Sequence, residues 1–131
     1  MHFRGASRAI QLRTPHTAGA ILKELATRDA VVPEVWAFEI ANGIFVSYSK
    51  RMRVTERQIA DYLGLLKALP IRVETQGLWA NVNLESLARR QNLAAYDAAY
   101  LDLALRTGLP IASSDAPLRQ AALAQGIEVL A

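Results

Sequence analysis

Residues 94–115 read AAYDAAYLDLALRTGLPIASSD, and this stretch decides the fold class. From about Ala94 to Thr107 apolar residues recur at helical spacing, and Gly108 with Pro110 marks the end of that helix. Ile111-Ala112-Ser113 is a short strand candidate, and Asp115 stands just beyond it. Pro117 to Gln125 reads as a further helix, and Ile127-Glu128-Val129 as a closing strand.

The same alternation extends upstream. Ala30-Val31-Val32, ended by Pro33, is a buried strand candidate, and a helix from about Glu34 to Ser49 follows it. Lys50-Arg51-Met52-Arg53 is a basic connection. Thr55 and Gln58 then form a capping box that opens a helix carrying Ile59, Tyr62, Leu63 and Leu66. Pro70 breaks that helix before the strand candidate Ile71-Arg72-Val73. A helix through Trp79, Val82 and Leu87 leads to Asn92. Near the start, Thr14 and Pro15 read as an N-cap and first helical position, followed by Ala18, Ile21, Leu22 and Leu25 at helical spacing. Short apolar strands separated by helices imply an α/β fold: a three-layer α/β/α sandwich with a central parallel sheet covered on both faces. The first strand, about residues 1–12, is atypical, because Arg4, Gly5 and Arg8 interrupt what should be a continuous apolar run.

A length of 131 residues, 52% hydrophobic and 21% charged, suits one folded domain across 1–131 and excludes a disordered chain. The absence of cysteine excludes disulfides and thiolate metal sites and suits a cytoplasmic location. MHFRGASRAIQLRT has no continuous apolar stretch, so neither a signal peptide nor a membrane span is expected there. The net charge of +3 is carried by fifteen basic residues, twelve of them Arg, the side chain best shaped for bidentate contact with phosphate. That balance is compatible with a nucleic-acid partner, although on charge alone a solvated surface is the plainer explanation.

Most acidic residues have plain structural explanations. Asp102 stands four positions before Arg106 as a helical ion pair. Glu24, Glu56, Asp61, Glu74 and Glu85 fall on polar helix or strand faces, and Asp29, Glu34 and Glu128 sit at element ends. Three acids differ. Glu39 has Val35, Trp36, Gly43 and Val46 as its helical neighbours, and Asp97 has Leu93, Tyr100, Leu101 and Ala104. An isolated charge facing inward is costly, and a shared divalent cation would offset that cost. Asp115 either caps the following helix or occupies the strand-end position where parallel α/β folds place ligands. Carboxylates without a His or Cys cluster select a hard cation, Mg²⁺ or Mn²⁺, which suits phosphoryl chemistry. His2 and His16 are isolated and read as surface residues.

Two segments in this order resemble a known family. AVVPEVWAFEIANGI, residues 30–44, is similar to the second acidic motif of bacterial PIN domains, with Glu39 in the acidic place and Asn42 one turn on. LAAYDAAYLDLALRTGLPIASSDAPLRQAALAQGIEVL, residues 93–130, resembles the C-terminal half of VapC-type toxins, with Asp97 and Asp115 as the third and fourth acids. Ser113 fits the small hydroxyl residue two positions before the last acid. The resemblance implies a Mg²⁺- or Mn²⁺-dependent endoribonuclease, dimeric and inhibited by a small VapB-like antitoxin. Glu39, Asp97 and Asp115 would bind metal and position the attacking water, with Ser113 in support. Lys50, Arg51, Arg53 and Arg57 would meet RNA phosphates, unless that stretch is simply solvated. Trp36, Phe38, Phe45, Tyr48, Tyr62 and Leu66 would serve either the dimer interface or the core.

The departure from the family lies at the start. PIN domains open with a strand ending in Asp, and Phe3 to Ile10 places Gly5 there, with Ala6, Ser7 and Ala9 still fitting. Three acids in place of four imply weaker metal binding and much weaker catalysis, or a degenerate domain that binds an antitoxin or RNA without cutting it. A receiver or phosphatase-like domain would need an acid-bearing first strand even more, and its motif order does not suit.

Overall fold

A computed structural model of the chain describes residues 10–12 and 29–130. The expected helix after Thr14-Pro15 and most of the first strand, Gly5 included, fall outside the described residues. The strands are β1 (Ile10–Leu12), β2 (Ala30–Pro33), β3 (Ile71–Glu74), β4 (Ile111–Ala112) and β5 (Val129–Leu130). All pair in parallel in the order β3-β2-β1-β4-β5, with Ile10 opposite Ala30, Ala30 opposite Ile71, Leu12 opposite Ala112 and Ile111 opposite Val129. The chain is thus mixed α/β with a five-stranded parallel sheet among its described residues. From β1 it moves outward through β2 to β3, then crosses back to β4 on the other side. The carboxyl ends of β1 and β4 therefore flank the point where strand order reverses, which is where such sheets hold ligands.

β2 is short, β-rich and wholly buried, as AVVP between a polar loop and a helix suggests. Pro33 ends it, and α1 (Val35–Phe45) starts directly from its carboxyl end. The expected helix to Ser49 does run on, but as a wide π-helical turn over Val46–Lys50. The capping box forms as the sequence requires. The Thr55 side chain accepts from Gln58 N at 3.1 Å and Gln58 Oε1 from Thr55 N at 2.9 Å, opening α2 (Glu56–Lys67). The helix closes at Ala68, before Pro70, because the residue preceding a proline is pushed out of the helical region.

After β3 the expected single helix is two: α3 (Leu78–Val82) and α4 (Leu84–Gln91), which meet at Asn83. Asn92 closes α4 in the left-handed conformation at φ 53°. α5 (Ala95–Thr107) is the central helix, and Gly108 ends it at φ 73°, a conformation that needs no Cβ. Tyr100, Leu101, Leu103 and Ala104 of α5 are fully buried. Tyr100, Leu101 and Ala104 share a core with Val32, Ile111 and Leu118, while Leu103 packs in a second cluster with Val31 and Leu109. α6 (Ala116–Ala124) completes the set, one residue earlier at each end than its sequence pattern indicates. β5 likewise falls at Val129–Leu130, just beyond the expected Ile127–Val129.

Candidate carboxylate site

Asp115 is the best-defined of the three acids. β4 ends at Ala112, and the next two residues carry the chain to the start of α6. Asp115 caps that helix: its Oδ2 accepts from Leu118 N at 3.1 Å, satisfying a backbone donor that the first turn leaves open. Ser113 is 2% exposed, and its Oγ accepts from Asp115 N at 3.0 Å. Ser113 thus shapes the loop that presents the acid. The capping reading of Asp115 is realised, yet only Oδ2 is used for it; among the described residues Oδ1 has no partner.

Asp97 lies in the first turn of α5, where the open backbone N–H groups favour a negative charge. It is half-buried. Because α5 leads through Gly108 and Pro110 into the start of β4, its first turn lies toward the carboxyl end of that strand. Glu39 is in the second turn of α1 and also half-buried. The fully buried Tyr100 donates its hydroxyl proton to Glu39 Oε1, tying α1 to α5. Asn42, one turn on, is exposed.

All three acids therefore belong to the carboxyl side of the sheet, each from a different segment. They are not gathered further: among the described residues no three His, Cys, Asp or Glu side chains come close enough to hold a metal ion together. The donor chemistry still fits a hard divalent cation. The chain has no cysteine, its two histidines lie outside the described residues, and the candidate ligands are carboxylate oxygens.

Two contacts escaped the sequence reading. Arg119, one turn after Asp115, donates from Nη1 to Ser113 O at 2.7 Å and to Leu130 O at 3.0 Å. It joins the Ser113–Asp115 loop to the last strand. Its i+4 spacing from Asp115 was the available signal. Tyr100 stands three residues after Asp97, visible as a helical neighbour, but its reach to Glu39 depends on how α1 packs. Trp36, three residues before Glu39, is buried with its indole Nε1 unpartnered among the described residues.

The four basic candidates sit together elsewhere. Lys50, Arg51, Arg53 and Arg57 are all exposed around the connection from α1 to α2. Arg57 makes one pair, with Asp61 at 3.7 Å, in which the side chains are 88% and 71% exposed. Such a pair contributes little. Of the expected interface residues, Trp36 is buried in the core, Phe38 and Phe45 are exposed, and Tyr62 and Leu66 of α2 are half-exposed. Burial raises the Tyr62 phenol above its ordinary pKa. The Asp102–Arg106 pair forms at 2.9 Å, and Asp102 also accepts from Gln76 Nε2 at 3.0 Å. No helix among the described residues is long and apolar enough to cross a membrane.

No protein-family model matches the chain, and no curated protein matches it at a significant level. Among solved structures, the crystal structure of PAE2754 from Pyrobaculum aerophilum superposes with a TM-score of 0.69 at 16% sequence identity, covering 97% of this chain and 88% of that one. At that identity the likeness is one of fold.

Proposed function

We propose that this chain is a PIN-type endoribonuclease of the VapC kind, hydrolysing RNA phosphodiester bonds with Mg²⁺ or Mn²⁺, and impaired by the loss of its first acid. The observation that carries the reading is the ordered pair of motifs around Glu39 and Asp97–Asp115, whose acids belong to the carboxyl side of a parallel sheet. The α/β/α sandwich is part of the same proposal, since a parallel sheet with helical crossovers is stable when both faces are covered.

Glu39, Asp97 and Asp115 would hold the cation, which supplies charge neutralisation at the scissile phosphate and a more acidic water. Tyr100 fixes one oxygen of Glu39, and Ser113 holds the turn that directs Asp115. Lys50, Arg51, Arg53 and Arg57 offer charge for RNA phosphates. A small VapB-like antitoxin, a homodimer and a cytoplasmic location complete the proposal, with the exposed apolar residues of α1 and the apolar stripe of α2 as the dimer surface.

The impairment rests on the sequence whatever its alignment: no Asp or Glu precedes Glu24. That absence and the ungathered acids favour a second reading, a domain that binds RNA or an antitoxin without cutting. Structured RNA incubated with Mn²⁺, against an EDTA control, decides between them. Slow cleavage that EDTA stops and Asp97→Asn abolishes supports the enzyme. No metal-dependent cleavage, even with an acid restored at the end of the first strand, leaves the binding module. Calorimetry separates the two independently, because a pure binder shows no heat with Mn²⁺.

A further inference from the structure

β3 stands at one end of the sheet: among the described residues it pairs with β2 alone. The register shows which backbone groups that leaves open. Ala30 stands opposite Ile71, and Ala30 N bonds Pro70 O at 2.9 Å. A parallel ladder then uses every second residue of β3, so Arg72 and Glu74 turn their backbone groups toward β2. Val73 turns its N–H and C=O to the open edge, where no bond meets them among the described residues.

The side chains at this edge are also unmatched. Val73 is 47% exposed, Arg72 is exposed and Glu74 half-buried. Neither charge has an ion-pair partner among the described residues. Charge on an edge strand ordinarily keeps other strands away. Here the two charges are opposite in sign and stand on one face of the strand, with Val73 midway between them.

That order is self-complementary. An antiparallel copy centred on Val73 sets Arg72 opposite the partner's Glu74, and Glu74 opposite the partner's Arg72. The two Val73 residues then exchange both backbone bonds, and the charge pairs fall at the neighbouring positions where side chains approach most closely. The adjacent registers that keep the backbone bonds would set Arg72 against Arg72 or Glu74 against Glu74, which repel. Backbone direction and charge thus select one alignment independently. A four-residue strand alone is a small contact; Leu78, Trp79 and Val82 of α3, all exposed and a few residues on, offer the further apolar area that a stable interface needs.

We infer that the β3 edge pairs with the β3 edge of a second copy of this chain, joining two five-stranded sheets into one. The contact is separate from the helix faces of α1 and α2. It uses none of the three acids and does not rest on the ribonuclease reading.

Sedimentation velocity of the full chain over a concentration series tests the inference, with amide exchange to locate the contact. Wild type should associate. Arg72→Glu and Glu74→Arg should each weaken association by at least about tenfold, because each turns two attractive pairs into two repulsive ones. The double variant, Arg72→Glu with Glu74→Arg, should associate as wild type does, and an equimolar mixture of the two single variants should form a heterodimer. The Val73 amide should exchange more slowly as concentration rises, while those of Arg72 and Glu74, already turned into the sheet, should not change. Phe38→Ser with Phe45→Ser, on the exposed face of α1, should leave the Val73 protection intact. Circular dichroism melts show whether each variant folds, and the mixture keeps the charge claim falsifiable if the double variant does not. A wild-type chain that stays monomeric, association unaltered by either single reversal, no rescue by the double variant or the mixture, or a Val73 amide indifferent to concentration overturns the inference. A monomer whose Val73 amide slows only with an added strand-forming peptide overturns it too, and gives the edge to another protein. Absence of Mn²⁺-dependent cleavage with this pairing intact would refute the ribonuclease reading and leave the pairing standing.

Discussion

Asp115 shows how one residue serves two demands. Its Oδ2 caps α6, so Asp115→Ala removes both a helix cap and a charge, whereas Asp115→Asn keeps a capping oxygen and removes only the charge. Asp115→Ala should lower stability by about 1 kcal/mol, and Asp115→Asn by a few tenths at most, measured by urea unfolding. Both should abolish Mn²⁺-dependent cleavage. If Asp115→Asn cleaves RNA at the wild-type rate, the acid is a cap and nothing more. The sequence offered both readings for this residue and could not choose, because the spacing of a strand end, an acid and a helix is identical for each. Met52 is the opposite case, a residue at odds with its backbone. Met52→Gly removes the left-handed penalty and should raise stability by about 1 kcal/mol, partly offset by glycine's greater freedom in the unfolded chain. A melting temperature below wild type would show that the methionine side chain contributes packing that outweighs its strain.

At the scale of elements, the features that rest on local chemistry were legible. The Thr55–Gln58 box, the Pro33 stop and the Gly108 cap all form where their residues stand, because each is decided within one turn of chain. The break at Asn83 was not legible. Trp79, Val82 and Leu87 keep helical spacing across it, and periodicity does not register an interruption that leaves the phase intact. The π-helical turn was hidden for a similar reason. Arg119 illustrates a link between elements that spacing only hints at: it bonds the carbonyls of Ser113 and Leu130, so it fastens β5 to the loop that carries Asp115. Arg119→Met keeps the aliphatic stem and removes both bonds. It should cost about 2 kcal/mol in urea unfolding, and amide exchange at Val129 and Leu130 should speed up before the rest of the sheet. Uniform acceleration across all strands would mean that Arg119 supports the whole fold and not this junction. Tyr62 on α2 gives a pH signature. Because burial raises its pKa in the folded state, folding is fully supported below the phenol's ordinary pKa of 10.0 and loses that support as pH climbs past it. Tyr62→Phe should flatten the alkaline limb of a stability–pH profile; an unchanged limb would assign the alkaline loss to other groups.

At the scale of the whole molecule, alternating apolar strands and helices foretold a parallel α/β chain, and that much of the sandwich stands. The three acids were legible as exceptions among explained charges, and the topology does bring them to the same side of the sheet. That no three such side chains close on one point among the described residues was not legible, because it depends on helix packing that no local pattern encodes. The first strand was the hardest part. Reading residues 3–10 against the family places the missing acid at Gly5, yet β1 runs over Ile10–Leu12 and pairs Leu12 with Ala112. Parallel register then sets the carboxyl end of β1 level with the start of the Ser113–Asp115 loop. Gly5 itself lies outside the described residues, so its place is tested by restoring the acid. If the proposed ribonuclease reading holds, Gly5→Asp should raise Mn²⁺-dependent cleavage by about a hundredfold, the scale of one well-placed electrostatic group, and tighten Mn²⁺ binding in calorimetry. Cleavage still absent in Gly5→Asp would sink the enzyme reading and leave the binding module, because the fourth carboxylate would then be present without its chemistry.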